Sequence, residues 1–202
     1  EQTAVKPNES VGERTEQTAR LGHGPVRASL RHVAIHVWDL PRMAAFYESV
    51  LGLLRTDGGR GTNAAVEFIF YTAEPNMHHQ FVLATGRPKD ATTGLLNQLS
   101  FHVETLGDVK AIHTNALAHG ATDMRAMSHG NAWSIYFRDP EQNRIEVYAD
   151  TPWYVPQPHG DAIDIAQSEE EIRRATEAIC RRDPGFCMRE AWEQRTADRL
   201  KS

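Results

Sequence analysis

Cysteine is scarce. The 202 residues hold two, Cys180 and Cys187, close together near the C-terminal end, too few for a disulfide framework and without the spacing of a zinc site. Free thiols are expected. Long apolar runs are missing as well: none approaches the ~20 residues that a membrane helix requires, and the first residues lack the basic and apolar regions of a signal peptide. No membrane partner is expected, and the expected compartment is the cytoplasm. Nor is there an excess of positive charge, since 22 Lys and Arg stand against 27 Asp and Glu, a net charge of −5 with ten His counted as neutral. Without a basic field, nucleic acid is not an expected partner. Residues 1–28, rich in Glu, Thr, Gly and Asn, show no sustained apolar period and read as an N-terminal arm without chemistry.

What the chain does have is a repeat. His32-Val33-Ala34-Ile35-His36-Val37 and Gln98-Leu99-Ser100-Phe101-His102-Val103 are near-copies, 66 residues apart. Strand alternation puts Val33, Ile35 and Val37 on one face and His32, Ala34 and His36 on the other; Leu99, Phe101 and Val103 oppose Gln98, Ser100 and His102 in the same way. After the first copy, Asp39 and Pro41 open a helix carrying Met43, Phe46, Tyr47, Val50 and Leu51 at helical spacing, and Gly52 ends it. Two β runs follow, 65–72 and 79–85, with a short strand expected near 53–56. After the second copy, Val109, Ile112, Ala116 and Leu117 mark a helix ending at Gly120. Strands 133–138 and 144–149 then flank the turn Asp139-Pro140-Glu141-Gln142-Asn143.

The pattern predicts an α+β fold: two tandem βαβββ modules, 30–86 and 97–150, within a domain spanning 29–151, forming an open mixed sheet that encloses a cleft. Residues 152–202 read as an extended segment followed by a helical tail that starts at Ser168-Glu169-Glu170-Glu171 and packs outside the core.

Strand parity places Ser134, Tyr136 and Arg138 on one face, and Arg144, Glu146 and Tyr148 on one face. An acid between Ile145 and Val147 is costly to bury without a partner. Beside His32 and Gln98 it completes an imidazole, an amide oxygen and a carboxylate from three strands, a facial set for a divalent metal with open positions. If the strand ending at Ala84 corresponds to the one ending at Ala149, Phe81 aligns with Glu146, and His79 lies on the inward face as a proton shuttle; otherwise His78-His79 is a solvated rim. Tyr136 can offer its hydroxyl to an oxyanion or simply pack. His36, His102, His129, Ser100 and Ser134 are weaker candidates for a pocket lining.

Arg31 through Leu40, running into Ala45-Phe46-Tyr47 and Leu51-Gly52-Leu53, together with Tyr136 through Glu146, resemble the vicinal oxygen chelate superfamily, the glyoxalase, fosfomycin-resistance and extradiol-dioxygenase group. The likeness is strongest to the catalytic half of type I extradiol dioxygenases. It implies a metal, in first place Fe(II), with Mn, Ni or Zn as alternatives, at His32, Gln98 and Glu146. It implies His79 as acid-base histidine, Tyr136 in a supporting role, and an enzyme that cleaves a catechol with O2. Gln98 stands where that family has a second histidine. Some glyoxalases and epimerases of the superfamily use glutamine as a ligand, which opens an isomerase or lyase reading, with Glu67 as a further carboxylate. A metal-free small-molecule binding protein is the third reading. Dimers are common in the superfamily, so a homodimer is compatible with the chain.

Overall fold

The computed structural model describes residues 28–62, 65–91 and 96–201. The expected N-terminal arm, apart from residue 28, lies outside the described residues. The first module runs β1 (Val33–Val37), α1 (Leu40–Leu51), β2 (Leu54–Arg60), β3 (Glu67–Thr72) and β4 (Phe81–Thr85). The second repeats it as β5 (Leu99–His102), α2 (Leu106–Ala118), β6 (Thr122–Ser128), β7 (Ala132–Arg138) and β8 (Arg144–Asp150). In the first, hydrogen bonding orders the strands β1-β4-β3-β2, with β1 parallel to β4 and the rest antiparallel. The second has the same plan, β6-β7-β8-β5, with β5 parallel to β8. The α+β fold with open mixed sheets is as expected, its ladders divided between two sheets.

Local chemistry sets the helix ends. The Asp39 side chain accepts from Arg42 N and caps α1, Pro41 sits where its missing N–H costs nothing, and Gly52 closes the helix at φ 63°. Thr105 with Asp108 forms a reciprocal capping box on α2. The α1 stripe Met43, Phe46, Tyr47 and Val50 is buried against Ile69, Phe81 and Leu83 of the first sheet, and Phe46 also meets Phe137 of the second. The apolar faces thus share one core, and the faces bearing His32 and Glu146 point away from it.

The turn Asp139–Asn143 fastens the modules together. Glu141, with no exposed surface, accepts the backbone N–H groups of Trp38 and Asp39 at 2.9 Å each. The Tyr47 hydroxyl donates to Asp139 at 2.9 Å, and Arg87 donates to Asn143 at 2.9 Å. Burial pushes both the Asp139 and Glu141 carboxyls above their usual range despite these donors.

Three features differ from expectation. Strand β6 went unread because Asp123 adopts a positive φ of 53° and a bulge interrupts the ladder between Thr122 and Arg125, so the run lacks clean alternation. A last helix, α4 (Arg189–Lys201), has no buried residue and hence no apolar period to read. The tail is also not peripheral. Its strand β9 (Trp153–Tyr154) pairs with β11 (Cys187–Met188), and β10 (Asp161–Ala162) extends the second sheet beside β6. Helix α3 (Glu169–Cys180), capped by Ser168 as expected, adds Ile172 and Cys180 to the core, and Thr176 accepts from Trp133 Nε1 at 2.9 Å. The indole needs an acceptor once buried, and the tail supplies it. Cys180 and Cys187 are free thiols, as expected.

Candidate functional site

On the outward face of the second sheet, register decides what meets Glu146. Tyr136 on β7 lies directly opposite it, and Ser100 on β5 lies beside it. With 8% of its surface exposed, the carboxylate accepts from Gln98 Nε2 at 2.7 Å, Ser100 Oγ at 2.5 Å and Tyr136 OH at 2.5 Å. Charge-assisted bonds of this kind stabilise by roughly 1.5–3 kcal/mol each, which offsets the cost of burying the charge. Burial, the hydrogen bond to Glu146 and the negative charge of Glu146 hold the Tyr136 phenol well above its ordinary value. It therefore stays a donor at neutral pH.

His129 completes the group. Its Nδ1 donates to the His159 carbonyl at 2.7 Å and its Nε2 lies 2.7 Å from the Tyr136 hydroxyl. The phenol has one hydrogen for two neighbours. Given to Glu146, it leaves the phenol oxygen free to accept from Nε2–H only when His129 is an imidazolium, because Nδ1–H is already donated; given to a neutral His129, it leaves Glu146 a donor short. From the imidazolium form of His129, a proton on Nε2 has a hydrogen-bonded path through the phenol to the carboxylate.

The first sheet carries the second group. The His32 and His79 rings stand 4.4 Å apart, His79 packs edge-on to Phe70 at 5.2 Å, and His78 links His79 to Asp57 through hydrogen bonds of 2.9 Å each. Desolvation, then the neighbouring His32 and His78, lower the pKa of His79, so it is neutral at pH 7. No hydrogen bond or ion pair joins this group to the Glu146 group among the described residues.

The register corrects one detail of the sequence reading. Val33 pairs with Phe81 and Leu99 with Ile145, so Phe81 corresponds to Ile145, and Val82 to Glu146. A shift of one residue exchanges faces, and Phe81 is accordingly in the core. His79 still meets His32 because it precedes β4, in a loop free of strand parity. Glu67 shares parity with Ile69 and Tyr71, on the core side of β3, and so faces away from His32.

The other sequence candidates separate in role. Ser100 and His129, read as pocket lining, bond directly to the Glu146 group. Ser134 is fully buried on the same face of β7. His36 Nδ1 lies 3.0 Å from the Thr85 carbonyl and His102 Nε2 3.3 Å from Asp150; both are exposed on strand faces. Sequence reasoning gave no role to Arg144, whose guanidinium sits 4.7 Å over the Tyr136 ring. Its parity with Glu146 was the available signal.

A metal needs donors with free lone pairs. Among the described residues, no three His, Cys, Asp or Glu side chains form a cation site; the expected set has an amide as its third member. His32 makes no side-chain hydrogen bond among the described residues. Gln98 gives its NH2 to Glu146 and Ser100, and its carbonyl oxygen takes no hydrogen bond among the described residues. In donor type, one imidazole nitrogen and two oxygens would suit Mn, Fe, Ni or Zn.

Over 131 residues the chain is 30% identical to biphenyl-2,3-diol 1,2-dioxygenase 3 of Rhodococcus globerulus, covering 62% of this chain and 65% of that protein. It spans just under two thirds of that relative's length. A glyoxylase/bleomycin resistance protein/dioxygenase domain from Frankia sp. EAN1pec superposes with a TM-score of 0.53 at 23% identity, covering 62% of this chain and all of that one. A genomically encoded fosfomycin resistance protein from Listeria monocytogenes, solved with Mn(II) and sulfate, gives 0.50 at 18% identity, with 62% of this chain and 95% of that one covered. These structural likenesses show the fold. Residues 29–147 match the Glyoxalase/Bleomycin resistance protein/Dioxygenase superfamily along both modules, and the chain belongs to that superfamily.

Proposed function

We propose that this protein is a metal-dependent enzyme that opens the ring of a catecholic aromatic beside its two hydroxyls, with O2 as co-substrate. The observation that carries the reading is the buried Glu146, held by Tyr136, Ser100 and Gln98, while the Gln98 carbonyl takes no hydrogen bond among the described residues. The sequence likeness to a biphenyl-diol dioxygenase supports it. His32, Gln98 and Glu146 would hold the cation, Fe(II) first and Mn, Ni or Zn as alternatives. Bound there, the cation would supply Lewis acidity toward the catechol oxygens, and a redox-active one such as Fe(II) or Mn(II), but not Zn(II), would also supply an electron path to O2.

The chain's own groups handle protons. His79, neutral at pH 7, accepts the proton of a catechol hydroxyl and returns one later in the reaction. Tyr136, kept protonated, donates to a developing oxyanion, and the imidazolium form of His129 behind it would replace the hydrogen it gives. Phe68 and Phe70 offer an aromatic ring a surface beside His79.

Anaerobic purification with metal analysis, followed by addition of simple and biaryl catechols in air, tests this reading. One equivalent of metal and a yellow ring-cleavage chromophore are expected. His32→Ala and Glu146→Ala should each abolish metal retention, whereas His79→Ala keeps the metal and slows turnover. Loss of metal from His79→Ala would make it a ligand. Gln98 favours a second reading, an isomerase or lyase of the same fold, which metal without a chromophore would select. Absence of stoichiometric metal would select the binding-protein reading. Light scattering of the purified chain checks the homodimer.

A further inference from the structure

Among the described residues, Arg144 has no acceptor. Its guanidinium lies over the Tyr136 ring, half-buried, and makes no hydrogen bond or ion pair among the described residues. The carboxylates around it are engaged elsewhere. Glu146 takes Gln98, Ser100 and Tyr136; Glu141 takes Trp38 N, Asp39 N and the charge of Arg87 at 3.7 Å; Asp123 takes Arg125 at 3.0 Å and Arg138 at 3.7 Å. Five N–H donors held in a fixed plane beside the Glu146 group are therefore left over.

The surroundings make this more than a solvated arginine. Arg138 lies directly opposite Arg144 across the β7–β8 ladder, a like-charge pairing that disfavours the sheet unless an anion lies between. Both arginines line an open cavity of about 620 Å³, together with Trp38, Arg87 and Lys89. Lys89 is exposed and has no partner among the described residues. Four cations against the single, already satisfied Glu141 make this cavity positive in a chain whose net charge is −5. Field focusing of that kind raises the local concentration of anions.

We propose that this cavity takes the acidic group of the substrate, a carboxylate or a phosphonate, through a bidentate contact with Arg144. Tyr136 links the two regions, since the ring that carries the cation on its face donates from its hydroxyl to Glu146. As a statement about substrate, the inference rests on the reading that Tyr136 and Glu146 belong to the reacting centre. An acidic catechol, or another acidic metal chelator, would then have its chelating oxygens at Glu146 and its acid at Arg144.

The test avoids the diol, so it stands apart from the metal chemistry. Benzoate, phenylphosphonate and the neutral benzamide are titrated into the full chain at low salt, followed by ligand-observed NMR. Both acids, or one of them, should bind about ten- to a hundredfold more tightly than benzamide, the range of a charge-assisted contact. Whichever acid binds more tightly identifies the source of the charge. Arg144→Gln should bring the acids down to the benzamide level, Arg144→Lys should retain part of the gain, and Arg174→Gln, an exposed arginine on α3, should change nothing. A thermal melt of each variant confirms folding. Equal binding of acids and benzamide, or undiminished acid binding by a folded Arg144→Gln, would overturn the proposal.

Discussion

Replacing Tyr136 with Phe isolates the chemistry around Glu146. The substitution keeps the ring, and with it the Arg144 contact, and removes one hydroxyl. Glu146 then loses the 2.5 Å donor and keeps Gln98 and Ser100, while His129 Nε2 retains only the carboxylate at 3.9 Å. A charge-assisted bond contributes about 1.5–3 kcal/mol. The buried hydroxyl recovers its own desolvation, roughly 1 kcal/mol at the low end of its range. A net destabilisation of about 0.5–2 kcal/mol remains, which lowers the melting temperature by about 1–8 °C for a chain of this length. Calorimetry and urea unfolding at pH 7 measure it. Ser100→Ala should shift stability in the same direction, and the double variant should lose more than the sum, because a buried carboxylate left with one donor is under-satisfied. A Tyr136→Phe protein as stable as the parent would show that the phenol does not hold the carboxylate, and the proton path through His129 would fall with it.

Thr176→Val should cost about 1–3 kcal/mol in urea unfolding, since the isosteric change leaves the buried Trp133 indole N–H without an acceptor; an unchanged midpoint would mean that α3 is only loosely applied to the core. Glu141 has a carboxyl raised by burial, so between its unfolded and folded values the native state binds more protons and unfolding becomes easier as pH rises. The urea midpoint of the parent relative to Glu141→Gln should therefore be larger at pH 4.5 than at pH 7, and a constant difference would contradict the assignment. Aromatic disulfide reagents should label the partly exposed Cys187 in the native protein and reach Cys180, buried and with its thiol pushed up, only on unfolding. Rapid labelling of both thiols would mean that the tail opens readily.

Much of this could be read in the chain because period and punctuation agree. The β1 and β5 repeats, the Asp39 and Ser168 caps and the Gly52 stop are local signals, and each marks the element it promised. Pairing is not local. The one-residue offset at Phe81 arose because strand ends were aligned instead of their partners, and only hydrogen-bond register shows that Val82 stands where Glu146 does. Ser100 and His129 were visible as polar residues near the site, but their bond to one carboxylate group depends on the β5–β8 and β6–β7 neighbours. Arg144 was passed over because a strand arginine reads as solvated until every nearby acid is seen to be taken. The tail was misplaced for a similar reason, since nothing in Thr176 announces a tryptophan in another element.

The turn at Asp139–Asn143 joins the repeats through bonds that its counterpart in the first module does not make. The second module's turn supplies acceptors for Trp38 N, Asp39 N and Tyr47, all in the first, and for Arg87 just after it. The corresponding turn of the first module spends itself at home: the Glu74 carboxylate takes Gln80, and its backbone takes Thr72 and Met77. Although the two halves look like duplicates, the start of α1 is finished by atoms lying about a hundred residues further along. Cut between the modules, the first half would be left with bare N–H groups at Trp38 and Asp39 and a buried tyrosine hydroxyl without its acceptor. The second half would lose the Ser49 and Val50 carbonyls that take Asn115 Nδ2, and the donors that satisfy its buried Asp139 and Glu141 carboxylates. Order of synthesis then matters: the half made first waits for the half made last.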